Sequence, residues 1–560
     1  MRRCALLLVF CLAAHASDYP VYPAVGSTYV PLDSWVYPAF ERLAALGYAP
    51  TAFLGLRPWT RMECARLLEE AGDRMEDEDG VQPEVTSLYE SLVREFSAEL
   101  ARESGAKNIA AEVESVYTRV TGISGTPLRD GYHFGQTIIN DFGRPYAEGL
   151  NVVTGMSARA TAGPFAFYVR GEYQHAPGIA DPIERPRETV FADEFNTSTL
   201  PPHRPIPEVN RTRLLDAYVA FNLKNWQISF GKQSLWWGPS SSGPLMWSSN
   251  ADPVWMLRMS QSNPIKLPSV LGWLGPVRSE MLFGRFAGQH FVRTQNGLQG
   301  NFDTPLSNQP FVFAQKLSFK PTPNLEFGVS RSGIFGGPDF PVTVSNVGRA
   351  VFSFGNIFGG SDPGDRRAGF DFRYRIPGLR KWLVLYNDSL AEDEMSPIGY
   401  PRRSAMNPGL YMPAVPKIPK LDFRIEGVYT DLPGLLHTGF YYWNLRYVDG
   451  YTNRGNVLGN WVGRQGRGVQ VWSTYWLSPA STIQFGYRTQ KVSEAFLKGG
   501  RLQDFAVHAH LKVREGVYLD TRVQYERWNF PLLASDDRSN LSTSIQLTYT
   551  PKWSLRKKSP

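Results

Sequence analysis

Cysteine is almost missing: the chain of 560 residues has three, and Cys4 and Cys11 fall inside an apolar run at the amino terminus. If that run is removed, Cys64 is the lone thiol and no intramolecular disulfide can form, which excludes a loop-rich disulfide scaffold. Long apolar stretches are lacking as well. Beyond the first residues none approaches the roughly 18 consecutive apolar positions of a helical span. That excludes a helical membrane protein but not a β-barrel, whose alternating strands average out in any hydropathy window. Catalytic fingerprints are also absent: no Walker loop, dinucleotide motif, nucleophile elbow or helical zinc-protease motif occurs. Neither a basic run nor a nucleic-acid-binding motif accompanies the net charge of +7, so no nucleic-acid partner is expected. The excess serves solubility as readily as attraction to an acidic polymer. Disorder is excluded in turn, because 42% hydrophobic and 13% aromatic residues provide enough surface to offset ordering entropy.

Among what is present, the amino terminus is the simplest to read. Arg2 and Arg3 precede the apolar run Ala5 to Ala14 and the small-residue site Ala14-His15-Ala16, the layout of a secretory signal peptide over residues 1–16. Residues 17–110 carry helical period and are expected to form a periplasmic helical domain. Asp33 is placed to cap a helix with Val36, Phe40, Leu43 and Leu46 on one face, closed by Gly47. Thr60 with Glu63 forms a capping-box pattern for a second helix. A third is expected from about Val85 to Leu100, after the acidic loop Glu76 to Gly80.

From residue 111 to the end the hydrophobic period is 2 rather than 3.6. In Phe165 to Gln174, Phe165, Phe167, Val169 and Tyr173 share one face and Arg170, Glu172 and Gln174 the other. The same division runs through Leu421 to Thr430 and Val517 to Glu526, each a strand with one apolar and one charged face. A soluble sandwich and a membrane barrel both give that pattern. Connection lengths favour the barrel: short turns at 223–225, 321–324, 376–378, 478–480 and 514–516 alternate with long polar segments at about 176–211, 335–369, 388–420 and 527–540. The expected fold is therefore mainly β, an antiparallel transmembrane barrel of about 16–18 strands, with the small helical domain closing its periplasmic end. A last strand is expected over Leu541 to Trp553. Trp226, Trp382, Trp443, Trp472, Trp476 and Trp528 suit interfacial girdles, with core packing as the other reading.

Chemistry-bearing residues are scattered along these strands. Arg170, Glu172, Arg424, Glu426, His508, His510, Asp520 and Arg522 are expected to line the lumen. Wall polarity accounts for the two histidines, and no metal or other cofactor is expected. Asp371, Glu426, Asp520 and Glu526 are the carboxylates that a glycoside-cleaving pair would draw on. The most distinctive stretch is Gly231-Lys232-Gln233-Ser234-Leu235-Trp236-Trp237-Gly238-Pro239, with Trp247 and Asn250 following. Rings stack on sugar C–H faces while amides and guanidinium groups bond hydroxyls, which makes Gln233, Trp236, Trp237, Trp247, Asn250, Arg258, Arg293 and Asn296 glycan-binding candidates. An in-folded loop packing the barrel interior explains the tandem tryptophans equally well.

These stretches resemble the capsule assembly protein Wzi family of diderm bacteria. The resemblance is carried by Trp35 to Gly47 with Leu56 to Arg61, by Asn140-Asp141-Phe142-Gly143-Arg144-Pro145-Tyr146, by Arg170 to His175, and by Gly231 to Asn250. It implies an outer-membrane barrel of about 18 strands, plugged by the helical domain. Such a protein acts without enzymatic activity as a lectin that holds capsular or other exopolysaccharide at the cell surface. Outer-membrane lipids and the barrel-assembly machinery are the further partners implied, for a monomer. The helical start also resembles an S-layer homology segment, which leaves an S-layer-anchored outer-membrane porin for sugars or other small solutes as the alternative.

Overall fold

The computed structural model describes residues 25–179, 205–352, 364–379, 382–392, 403–432 and 438–551. The proposed signal segment lies outside them. Eighteen strands make a closed antiparallel barrel. In chain order they are β1 (Ile109–Gly125), β2 (Gly149–Ala162), β3 (Phe165–Ala176), β4 (Val209–Leu223), β5 (Trp226–Gln233), β6 (Val254–Gln261), β7 (Pro276–Arg285), β8 (Phe311–Thr322) and β9 (Leu325–Phe335). They continue as β10 (Asp365–Arg375), β11 (Val384–Glu392), β12 (Gly409–Met412), β13 (Leu421–Tyr429), β14 (Gly466–Ser478), β15 (Ser481–Val492), β16 (Gly500–Arg514), β17 (Val517–Asn529) and β18 (Arg538–Tyr549). The ring closes where β1 pairs with β18, Val120 opposite Ile545, while its other edge pairs with β2. Closure leaves no sheet edge unpaired, as a strand in hydrocarbon requires.

Exposure decides between the two architectures. On β3 the apolar face is outside, with Phe165, Phe167 and Val169 each more than 40% exposed, and Arg170, Glu172 and Gln174 are buried. Val523 and Tyr525 against Gln524 and Glu526 repeat this on β17. A soluble sandwich would show the reverse, so the apolar belt faces lipid.

The connections segregate by length. Residues 163–164, 224–225, 323–324, 479–480 and 515–516 are tight turns at one end, while 126–148, 234–253, 286–310 and 430–465 leave the other. The expected long connection at 527–540 is shorter, because β17 runs to Asn529 and β18 begins at Arg538. β18 also stops at Tyr549 rather than Trp553, where its partners β17 and β1 end their pairing. Residues 180–204 and 393–402, inside two of the expected long connections, lie outside the described residues. Two of the girdle candidates point inward: Trp476 joins the helical core and Trp528 packs near Phe134 and Phe530. Both occupy the parity of the buried polar side chains.

The helical domain sits at the short-turn end. Helix α1 (Val36–Leu46) buries Val36, Phe40 and Leu43 and ends on Gly47 in the left-handed conformation. Its N-cap is Trp35 rather than Asp33, because the Asp33 carboxylate is drawn to Arg170 on the wall at 2.8 Å. Helix α2 (Arg61–Glu76) starts on Thr60, whose Oγ1 accepts the Glu63 N–H at 3.1 Å. The Glu63 carboxylate pairs with Arg278 of β7, so the capping box is only half made. The expected third helix is two, α3 (Pro83–Glu95) and α4 (Ser97–Glu103). Phe96 breaks them apart and sends its ring into the core near Phe40. Tyr37, Trp59, Leu67 and Leu92 complete that core.

Inward-facing wall charges grip this domain. The Leu54 and Gly55 N–H groups donate to Glu326 at 3.0 and 2.9 Å, Lys316 donates to the Gly55 carbonyl at 2.7 Å, and Lys320 donates to that of Pro50 at 2.8 Å. Arg424 meets Glu41 at 2.9 Å. A Cβ on Gly55 would lie 2.9 Å from the Asp371 carboxylate, so this contact needs glycine.

Candidate functional site

The segment from Ser234 to Pro253 does not project from the rim; it folds into the lumen. Trp236 and Trp237 pair antiparallel with Arg57 and Leu56 of the helical domain, so the two fillings of the barrel are joined through backbone hydrogen bonds. The Gly238 N–H donates to the Gly55 carbonyl at 2.9 Å. Gly238 has φ +154°, and a Cβ there would come within 2.8 Å of Pro244. Trp237 bridges to Trp247, its N–H donating to the Trp247 carbonyl at 2.9 Å. Its indole Nε1 donates to Glu280 at 3.1 Å, and the second oxygen of Glu280 accepts from Arg258 at 2.6 Å. Arg258 donates further to the Pro58 carbonyl and lies 4.1 Å from the Tyr29 ring centroid. Gln233 accepts from Ser229 at 2.8 Å and donates to the Met256 carbonyl. Every one of these groups is buried, as low-dielectric surroundings demand of paired charges.

Three further segments fill the remaining space. From 430–465, Tyr442, Tyr451 and Trp461 are buried, with Tyr451 edge-on to Trp247 at 6.2 Å. From 126–148, Phe134 stacks on Phe530, and Asp130 accepts the His133 and Phe134 N–H groups to hold a turn. Burial alone would raise the Asp130 carboxyl, but His133 and these N–H donors hold it below the usual range. Asn250 accepts from Gln136 and from the Asn140 N–H, tying 126–148 to the tryptophan segment. The segment 286–310 supplies the hairpin Phe291–Thr294 with Gly297–Gly300. There Arg293 is half-buried, its N–H donating to Arg446, and Asn296 stands exposed at the tip.

The sequence-derived glycan candidates thus divide. Gln233, Trp236, Trp237, Trp247, Asn250 and Arg258 belong to one connected buried body, while Arg293 and Asn296 lie apart near the rim. No indole of the tandem motif offers an open face, with exposures of 9%, 1% and 2% for Trp236, Trp237 and Trp247. The segment therefore packs the barrel interior.

The lumen-lining candidates all lie on the inward parity. Glu426 accepts the Ser241 and Ser242 N–H groups at 2.7 and 2.8 Å and the Tyr386 hydroxyl at 2.6 Å. Arg424 spans Glu41 and Glu426. His510 is 2.6 Å and His508 3.6 Å from Asp520. Asp371 holds Lys316 at 2.6 Å, and Glu526 holds Arg488 at 3.1 Å. Each carboxylate considered for hydrolysis is engaged with its own neighbours.

Two polar cavities remain. One of about 530 Å³ lies between the helical domain and the wall, lined by Asp33, Arg61, Arg170, His510, Asp520 and Arg522. The other, about 510 Å³, opens among the long connections, lined by Arg129, Arg144, Tyr146, Asn250, Arg454 and Asn456. Asp141 and Arg144 border both. Asp141 takes Arg119 at 2.6 Å and Arg144 at 2.5 Å, and Arg144 also reaches Glu172 at 2.5 Å. Burial would raise the Asp141 carboxyl, yet the flanking Arg119 and Arg144 keep it low and ionised. Asn140 and Phe142 adopt positive φ of 53° and 56°, which aims both sides of this short stretch inward. In the sequence this stretch was legible only as part of a family resemblance; Arg454 and Asn456 carried no signal.

A closed antiparallel barrel with a lipid-facing apolar belt and a lumen filled from both ends defines a plugged membrane-spanning β-barrel. The chain belongs to the capsule assembly protein Wzi family, whose model matches residues 119–543. A curated relative, an uncharacterized 55.8 kDa protein in the cps region of Klebsiella pneumoniae, is 28% identical over 182 residues, 32% of this chain and 33% of that protein. The match thus spans about a third of the relative's length. Among solved structures, Wzi of Escherichia coli, an outer-membrane carbohydrate-binding β-barrel involved in group 1 capsule assembly, superposes with a TM-score of 0.65. Identity is 18%, with 94% of this chain and 100% of that one covered. OpdQ of Pseudomonas aeruginosa is more distant, at TM-score 0.43 and 9% identity over 80% of this chain and 98% of its own.

Proposed function

We propose that the protein is a non-enzymatic, lectin-like outer-membrane barrel that binds capsular or other surface polysaccharide and helps its attachment or assembly at the cell surface. The single observation that carries this reading is the double filling of the lumen. Helical domain and inward segments are joined at Leu56–Arg57 and Trp236–Trp237, which leaves the long-connection face as the working surface. Family membership and the carbohydrate binding of the E. coli fold relative support the ligand class. On that face, Asn250, Arg293 and Asn296 are the sequence-derived candidates nearest to solvent or to the outer cavity. The chain works as a monomer, exported by residues 1–16, inserted by the barrel-assembly machinery and held by lipid against its apolar belt. A sugar porin would need an open path through the filled lumen.

Full-length protein in detergent is expected to pull down the producing organism's own surface polysaccharide, and deletion of the gene is expected to release that polymer into the medium. No pull-down together with unchanged retention would sink the reading.

A further inference from the structure

The outer cavity carries an asymmetry of charge that its packing does not require. Asp252, 2% exposed, is the one carboxylate held by three cations: Lys232 at 2.7 Å, Arg213, and Arg454 at 3.1 Å. Arg211 follows on the same face of β4 as Arg213, donating to the neutral Gln174. Four cations against one carboxylate leave a positive surplus beside the cavity. Within the cavity wall, Asp141 is already neutralised by Arg119 and Arg144.

Arg454 is the accessible member of this group. Its side chain is 52% exposed and lines the cavity, and only its Nε is engaged, by Asp252. Its two terminal nitrogens have no acceptor among the described residues, and they form the fork that receives a carboxylate in a bidentate pair. Beside it, the Asn456 side chain is wedged against Gly131 and Gly143 and has no hydrogen-bond partner among the described residues. A free amide is matched to sugar hydroxyls, which offer both donors and acceptors. The half-buried ring of Tyr146, whose hydroxyl donates to the Leu128 carbonyl at 2.6 Å, supplies an apolar surface for C–H groups.

We propose that this cavity is a subsite for a carboxylate-bearing sugar unit, with Arg454 pairing the carboxylate and Asn456 the adjoining hydroxyls. The inference rests on the polysaccharide-binding reading above and adds to it a place and a charge class. The surplus of Arg211, Arg213 and Lys232 behind Arg454 attracts the anion and makes its binding weaken as salt screens the field.

The test uses full-length protein in detergent and the producer's own surface polysaccharide, before and after chemical reduction of its carboxyl groups to primary alcohols. Carboxyl reduction is expected to weaken binding by about tenfold, the scale of one charge-assisted pair. Arg454→Gln should weaken binding of the native polymer to the same extent and no longer distinguish it from the reduced one. Asp252 keeps Lys232 and Arg213 in that variant, so the fold survives it. Asn456→Ala should weaken both polymers alike. If the reduced polymer binds as tightly as the native one, or Arg454→Gln still discriminates between them, the subsite is overturned while polysaccharide binding stands. If neither polymer binds wild-type protein, both readings fall.

Discussion

At the scale of single residues, the lumen is a set of charges that are stable only in company. Arg258 and Glu280 are both fully buried, and Glu280 serves Arg258 and the Trp237 indole at once. Removing one member of a buried pair leaves an uncompensated charge and costs about 3–5 kcal/mol. Glu280→Ala is therefore expected to destabilise the folded barrel by that amount, seen as a lower temperature for the mobility shift of the folded form on denaturing gels. An unchanged transition would mean that Trp237 and Arg258 find other acceptors. Strand parity made much of this legible: Arg170, Glu172, Arg424, Glu426 and Arg522 are inward because Phe167, Ile425 and Val523 are outward. The partners were not legible, because Glu63 with Arg278 or Asp33 with Arg170 join residues more than a hundred positions apart. Local rules even pointed the wrong way there, since Asp33 and Glu63 both read as caps until a wall arginine claimed their carboxylates.

At the scale of elements, the helical domain carries its own pH response. Glu103 at the end of α4 is pushed up to about 9, first by burial and then by the Glu69 carboxylate of α2 beside it. Folded protein thus keeps this proton over a range in which the unfolded chain, with a value near 4.5, gives it up. The stability contributed is complete below about pH 4.5 and is lost as pH rises toward 9. Glu99 works in the opposite sense: burial raises it, but Arg61, Arg159 and Arg102 bring it down to about 2, so its contribution is lost as pH falls from 4.5 toward 2. Thermal unfolding of the helical circular dichroism signal should accordingly occur at lower temperature at pH 9 than at pH 5. Glu103→Gln should flatten that slope, and a slope that persists in the variant would assign it elsewhere. Helices and wall strands were readable because their periods are 3.6 and 2. The in-folded segments at 126–148 and 430–465 have neither, and their Tyr442, Tyr451 and Trp461 look no different in sequence from rim aromatics.

At the scale of the molecule, the question is what closes the barrel. A helical plug alone predicts that its removal opens a channel. Here Trp237, Trp247 and Tyr451 stay packed across the lumen whether or not residues 25–105 are present, since Glu280, Ser332 and the 430–465 segment hold them from the wall side. Deletion of that domain would free Lys316, Glu326 and Arg278 to water but leave the second filling in place. Full-length protein in a planar bilayer is therefore expected to be silent, and the variant lacking residues 25–105 to show at most small, unstable conductance. Stable channels of porin size should require loss of the 236–250 segment as well. Stable channels in the full-length chain would restore the porin reading. Full opening on removal of the helices alone would mean that the tryptophan segment depends on its pairing with Leu56–Arg57 to stay inside, so that the two fillings act as one.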